Sequence, residues 1–495
     1  MNFPVAALSA ASLSSLGPEV AMPTYDRSAV AVGIVHLGVG AFHRAHQALY
    51  LDKLMNRGQA LDWGICGVGV LPGDAGVRDA LAAQDGLYTL VEKHPDGRQE
   101  ARVVGSIVEY LLAPDDPEAV IEKMAGEAVR IVSLTVTEGG YNLDAVTGEF
   151  QADDPGVVHD LEPGAAPRTT FGLVVEALAR RRERGLAPFT VLSCDNIQGN
   201  GHAARRSFTA YARLRDPELG EWVEANVRFP NCMVDRITPV TTDEDRALVA
   251  ERFGVRDRWP VVCEPFTQWV LEDDFGTGRP EFQDVGVQVV ADVEPYELMK
   301  LRLLNAGHQA LGYLGYLAGH RLVSQASQDP LFAGFLLDYM VREATPTLSP
   351  VPGIDLHAYQ RQLVERFSNP QVRDTVARLC ADSSDRIPKW VLPVIRHNLE
   401  HGGEIERATA VVAAWARYAE GVDEQGEPIE VVDRLKATLV PLARSQREDP
   451  LAFIRNRDVF ADLADDERFA STYLRLLASL HRDGARATLE ALASR

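Results

Sequence analysis

Apolar and polar positions divide the chain into two halves with different periods. In the first half, short apolar runs end in glycine or polar residues: AVGIVHL at 31–37, WGICGVGVL at 63–71, AVRIVSLTVT at 128–137 and FTVLSCDN at 189–196. Runs of this length, bounded by turn residues, predict strands of a parallel sheet buried on both faces. After the first run, AHQALYLDKLMNRG keeps apolar residues at helical spacing as far as Gly58, so strand, glycine turn and helix open a nucleotide-binding βαβ unit. From about Val293 the runs stop, and helical patterns occupy 296–321, 355–368, 404–420 and 467–493, separated by turn-rich stretches such as SPVPGID and DEQGEP. The pattern predicts an α/β fold: an N-terminal Rossmann-like parallel-sheet domain over 1–292, then a mostly α-helical C-terminal domain over 293–495. A chain of 495 residues also exceeds what one core usually serves.

Composition narrows the partners. A formal charge of -21 argues against nucleic acid or an anionic membrane, and the one basic run, RRRER at 180–184, reads as a solvated helix end. Five cysteines, widely spaced and without a CxxC pair, disfavour a disulfide framework and point to a reducing compartment. Residues 5–16 are apolar and small, but no Lys or Arg precedes them, so a secretory signal is not expected. No apolar run approaches the ~18 residues of a membrane span. The expectation is a soluble cytoplasmic protein acting on a small molecule.

The chemistry gathers at the ends of the runs. In GVGAFHRAH (38–46), Gly38 and Gly40 allow a tight turn and close approach of a pyrophosphate, although His43 stands where GxGxxG has its last glycine. Phe42, His43 and Arg44 share that turn and join the cofactor-side candidates. A metal pair at His43 and His46 lacks carboxylate or cysteine partners, so no metal site is expected. Asp74, after the second strand, is placed to bind ribose hydroxyls and to repel a 2′-phosphate, which favours NAD; a surface-loop aspartate is the other reading. TVTEGGY adds Thr137 and Glu138 beside a nicotinamide, or is simply a turn. In SCDNIQGNG an amide from Asn196 can donate to a developing alkoxide, or Asp195 and Asn196 close an Asx turn. Asp235 and Arg236 in NCMVDRITP are an ion pair or a substrate contact.

YELMKLRLLNAGH (296–308) is the most informative stretch. Asp292 can cap a helix here and Pro295 fits its first turn. At about 100° per residue, Lys300, Asn305 and His308 fall within an arc of roughly 140°. A lysine flanked by neutral hydrogen-bonding groups suits proton transfer at an alcohol or carbonyl; the alternative is an amphipathic helix on which Lys300 snorkels and His308 is a core residue. Tyr296 and Lys300 also spell YxxxK, the short-chain dehydrogenase pair, but the nearest upstream serine, Ser207, is far too distant.

Taken in order, GVGAFHRAH, TVTEGGYN, SCDNIQGNG, MVDRITP and ELMKLRLLNAGH resemble the polyol-specific long-chain dehydrogenases, from about residue 30 to the C-terminal region. The resemblance implies a zinc-independent, NAD-linked interconversion of a polyol and its 2-ketose by an enzyme that is commonly monomeric. It makes Lys300 the general acid or base, Asn196 and Asn305 the ligands of the reacting oxygen, His308 and Asp235 substrate-site residues and Glu297 a proton-path group. RLCADSSDRIPKW resembles the remaining substrate segment and adds Arg378; Arg386 stands where relatives often have lysine. A lysine starts near a pKa of about 10.4, and acting near neutrality requires about 4 kcal/mol of depression, from partial burial and a cationic nicotinamide. Fructuronate and arabinitol enzymes of the same family remain open, as does a nucleotide-binding regulatory protein, which would not need Lys300, Asn305 and His308 together.

Overall fold

Five parallel strands carry the first half of the chain. In spatial order they are Ile107–Leu112, Gly64–Gly69, Val32–Leu37, Ile131–Leu134 and Thr190–Ser193. The chain thus starts in the middle, builds to one edge, and returns to build toward the other, which creates a switch point between Val32–Leu37 and Ile131–Leu134. In open α/β sheets ligands bind at that point, outside the carboxyl ends of the strands. The computed structural model describes residues 5–144 and 148–494. It has the α/β architecture with a Rossmann-like parallel sheet followed by a helical region.

Both faces of the sheet are covered, which is why its strands read as unbroken apolar runs. Val35 and Leu37 pack with Val132, Ile121 and Phe171 on one side, while Ile34, Ile65 and Ile107 pack with Ala48, Leu51 and Trp269 on the other. The helix expected to run to Gly58 is divided into Ala41–Ala45 and Gln47–Met55. The break falls at His46, whose Nε2 lies 2.9 Å from the Gln268 carbonyl and whose Nδ1 lies 2.9 Å from the Gln47 amide.

Besides a two-stranded parallel pair, Ala6–Ala7 with Val255–Arg256, two larger sheets escaped the apolar pattern. Tyr88–Lys93 and Gln99–Val104 form an antiparallel hairpin flanked by Val261–Cys263 and Val20–Ala21. Cys232–Asp235, Gln268–Glu272 and Gln288–Val290 form the other. These strands are short and several alternate buried with open positions, a weaker signal than the central sheet's.

The chain divides into two compact units, Met1–Val293 and Glu294–Arg495. Named elements of the second are all helical among the described residues. Ala306–Leu317 packs against the alanine-rich helix Glu406–Tyr418, which packs against Glu467–Ala493. The last of these bends at Gly484, where φ is 81° and the Ala485 N–H donates to Glu424. No helix is long and apolar enough to cross a membrane. The five cysteines are free and buried.

Candidate active site

The glycine turn is built by the strand beneath it. Gly38 has φ +91°, and a Cβ there would lie 2.2 Å from the Thr135 carbonyl across the switch point, so only glycine fits. Thr135 Oγ1 donates to the Gly38 carbonyl at 2.5 Å. His36, wholly buried, lies 2.9 Å from Thr135 Oγ1 and 2.8 Å from Ser133 Oγ. Burial pushes its imidazole down to about 3, so it stays neutral. Gly40 is exposed, opens the helix Ala41–Ala45 and has no atom within 4 Å of a would-be Cβ. An open glycine at a strand-to-helix turn leaves backbone N–H groups accessible to an anionic diphosphate, and the donor set suits a dinucleotide.

The side chains of this turn go elsewhere. Phe42 is half-buried and stacks on His46 at 4.9 Å. His43 stacks on His36 at 3.4 Å, and Arg44 donates to the Trp259 carbonyl at 2.5 Å and lies over the Tyr88 ring. Both are 1% exposed, so His43 and Arg44 shape the turn from below and offer a ligand only backbone groups. Asp74 caps the end of Gly64–Gly69: its Oδ2 accepts from the Val70 and Leu71 amides at 2.8 and 2.9 Å. Its Oδ1 takes no hydrogen bond from the described residues, which leaves one oxygen for a hydroxyl.

A latch between the last two strands was not foreseen from sequence. Asp195 accepts from the amides of Val136 at 3.1 Å and Thr137 at 2.8 Å, and from the Tyr141 hydroxyl at 2.6 Å. Thr137 has φ 66°, a strained conformation for a β-branched residue, and the Asp195 carboxylate holds it there. The signal available was the carboxylate next to Asn196, both at the end of Thr190–Ser193. Asn196 and Thr137 are exposed; Glu138 begins the turn Glu138–Tyr141, and its side chain lies outside the described residues. Asp235 is buried at the end of Cys232–Asp235. Its neighbour Arg236 gives its guanidinium to Glu92 at 2.6 Å and to the carbonyls of Glu264 and Ala45, so it serves as a brace between segments.

In the second unit the expected single α-helix is instead interrupted. Glu294–Met299 is α-helical, Lys300–Asn305 forms a π-turn, and Ala306–Leu317 resumes the α-helix. Residues five apart lie about 140° apart in an α-helix but only about 50° apart when the turn widens to about 4.4 residues. The π-turn therefore brings Lys300 and Asn305 onto one face, closer than regular helical spacing gives. Contacts from a distant segment engage it: the Tyr339 hydroxyl donates to the Arg302 carbonyl at 3.2 Å, and Arg302 Nη1 donates to Thr347 Oγ1 at 2.8 Å. Tyr339 itself opens a second π-turn, Tyr339–Ala344, packed against the first. Lys300, Asn305 and Glu297 are buried, and half-buried His308 stacks on Phe367 at 4.2 Å.

Other candidates are placed differently. Tyr296 donates to the Pro352 carbonyl at 2.8 Å, a structural role that agrees with setting aside the YxxxK reading. Arg378 is exposed and forms a two-point pair with Asp374. Arg386 Nη1 donates to the carbonyls of Arg378 at 3.1 Å and Leu379 at 3.2 Å, and so braces the segment that carries Arg378. Among the described residues, Glu92, His94 and Glu100 bring ligand-type atoms within 4.8 Å of one another, but Arg236 and Arg98 already pair with the two carboxylates.

A glycine turn at a Rossmann switch point, joined in sequence to a buried lysine and asparagine on a helical unit, is the layout of a dehydrogenase family. The chain belongs to the mannitol dehydrogenase family: its Rossmann-domain pattern matches residues 32–284 and its C-terminal-domain pattern residues 292–480. Mannitol 2-dehydrogenase of Aspergillus fumigatus is 48% identical over 480 residues, covering 96% of this chain and 95% of that protein. The Pyricularia oryzae protein of the same name is 46% identical over 492 residues, covering 97% and 98%. Among solved structures, the Pseudomonas fluorescens mannitol 2-dehydrogenase ternary complex with NAD and D-mannitol has a TM-score of 0.91 at 45% identity, covering 99% of this chain and all (100%) of that one. A D-sorbitol dehydrogenase in substrate-free form has a TM-score of 0.90 at 38% identity, covering 97% and 100%.

Proposed function

We propose that this chain is an NAD-dependent, zinc-independent dehydrogenase that interconverts D-mannitol and D-fructose at C2. The observation that carries the reading is the buried π-turn presenting Lys300 and Asn305 on one face, in a chain 48% identical to a mannitol 2-dehydrogenase. NAD, when bound, accepts the hydride from C2. Lys300, as the neutral amine, takes the C2 hydroxyl proton, while amide hydrogens of Asn305 and Asn196 stabilise the oxygen as it gains charge. In reduction the ammonium returns that proton. Glu297, three residues before Lys300, passes the proton onward; His308, Asp235 and Arg378 orient hydroxyl groups. Gly38, Gly40 and Asp74 hold the dinucleotide.

Because a protonic lysine replaces a Lewis acid, no metal is needed. D-Mannitol has two-fold symmetry, so attack at either inner end gives the same ketose. The same reading takes the protein as a cytoplasmic monomer. The test compares NAD reduction with D-mannitol, D-sorbitol and D-arabinitol, before and after exhaustive dialysis against chelator. Preference for D-mannitol and full activity after dialysis are expected; preference for arabinitol, or a loss that zinc restores, overturns the reading.

A further inference from the structure

Three cations line a cavity of about 560 Å³ in the N-terminal unit, and one of them, Arg57, is engaged by the Asp284 carbonyl. Lys53 comes from the end of the helix Gln47–Met55, and Arg102 from the strand Gln99–Val104. Among the described residues neither makes an ion pair or a side-chain hydrogen bond, although Lys53 lies 5.4 Å from the Tyr50 ring centre. The anionic lining groups are spoken for. Asp52 accepts from the Tyr25 hydroxyl at 2.7 Å, the Gly105 amide at 2.9 Å and the Asn56 amide at 2.9 Å. Asp284 accepts from Gln59 through its carboxylate, and from Arg57 through its carbonyl.

Like charges held together in a partly desolvated recess repel; Asp52 attracts Arg102 and Glu92 attracts Lys53 through space, but no carboxylate pairs directly with either cation among the described residues. Burial, then the Arg102 charge, holds the Lys53 ammonium below its ordinary range. An anion that accepts from both groups removes the penalty. A guanidinium offers paired donors matched to phosphate oxygens and an ammonium adds a point charge, so phosphate fits better than a halide. The cavity has room for more than the phosphate itself. It lies at the carboxyl end of Gln47–Met55, about 14 Å of helix away from the glycine turn. The two sites are separate.

We propose that this cavity binds a small phosphate-bearing anion, either free phosphate or the phosphate of a sugar ester. The proposal does not rest on the dehydrogenase reading. It is tested by calorimetry on the full chain at constant ionic strength, with NADH at saturation so that the dinucleotide site is filled, using inorganic phosphate, glucose 6-phosphate and glucose. Saturable binding of phosphate or glucose 6-phosphate is expected, without binding of glucose. Tighter binding of glucose 6-phosphate assigns an ester; equal or tighter binding of phosphate assigns the free ion. The double substitution Lys53→Gln with Arg102→Gln should weaken binding about tenfold or more, the worth of charged hydrogen bonds, and leave NADH affinity unchanged. Arg102→Gln alone should weaken it about threefold, which keeps the test available if the double variant does not fold. Absence of saturable binding, or affinity unchanged in either variant, overturns the proposal.

Discussion

At Gly38–Gly40 the backbone is left open and the side chains of His43 and Arg44 turn inward, whereas Lys300 and Asn305 are buried on a π-turn and, in the proposed mechanism, act through their side chains. The first arrangement depends on what is missing, a Cβ, and is supported from beneath by neutral His36. The second depends on a change in helical pitch and is supported from the side by Tyr339 and Thr347. If the proposed roles hold, the difference teaches that recognition of a dinucleotide can rest on main-chain groups, while proton transfer needs a side chain whose angle is set within about 10–20°.

The contrast makes the two regions separable by mutation. The largest effect is expected from Lys300→Ala: turnover falls about 100-fold or more while NADH affinity stays within about twofold, as read by fluorescence titration. Near-normal turnover in folded protein would sink the assignment. Gly38→Ala should show the reverse signature. A methyl group 2.2 Å from the Thr135 carbonyl, at φ +91°, costs about 2 kcal/mol or more and weakens NADH binding. If that variant lost turnover yet bound NADH normally, the division of labour would be wrong.

Asp74→Ala is expected to act more gently, narrowing the ratio of kcat/KM for NAD over NADP about tenfold, because one carboxylate oxygen is available for a ribose hydroxyl. An unchanged ratio would place cofactor choice elsewhere on that loop.

The smallest effect is in stability against pH, and its sign differs between the units. Burial holds folded His36 at about 3, below its ordinary 6.5, so its contribution is present above 6.5 and is lost as pH falls toward 3. Burial lifts the Glu343 carboxyl to about 7 from 4.5, although the Ala408 and Arg407 amides pull the other way, so its contribution is present below 4.5 and is lost as pH rises through 7. Each group tilts its limb by on the order of 1 kcal/mol per pH unit. Thermal melts should show His36→Asn flattening the acid limb and Glu343→Gln the neutral one; parallel changes in both limbs would contradict the assignment.

These regions also differ in how much a reader of the sequence can see. Strands buried on both faces announce themselves as apolar runs, and a positive φ under a close carbonyl requires glycine, so the switch-point turn is legible. QEARVV in the hairpin is not, because its polar half reads as loop. Lys300, Asn305 and His308 are legible as residue types at a spacing, but their true angle is not. That angle comes from a π-turn engaged by residues roughly 40 positions away, and no local residue marks it. Asp195 illustrates the same limit, since its worth lies in amides 58 and 59 positions upstream. Arg386 is another case: as a name in a motif it suggested substrate, whereas its guanidinium serves the carbonyls beneath Arg378.

Counted in residues, the wide turn at Lys300–Asn305 is an α-helix with about one residue to spare. Removing that residue would let the helix close into an even spiral while rotating everything before it by about 100° against everything after. Length along this helix is therefore a setting and not a filler: a single-codon deletion here would leave hydrophobicity, charge and composition almost untouched and still unmake the alignment of Lys300 with Asn305. Substitution scans, which preserve length, are blind to that dependence.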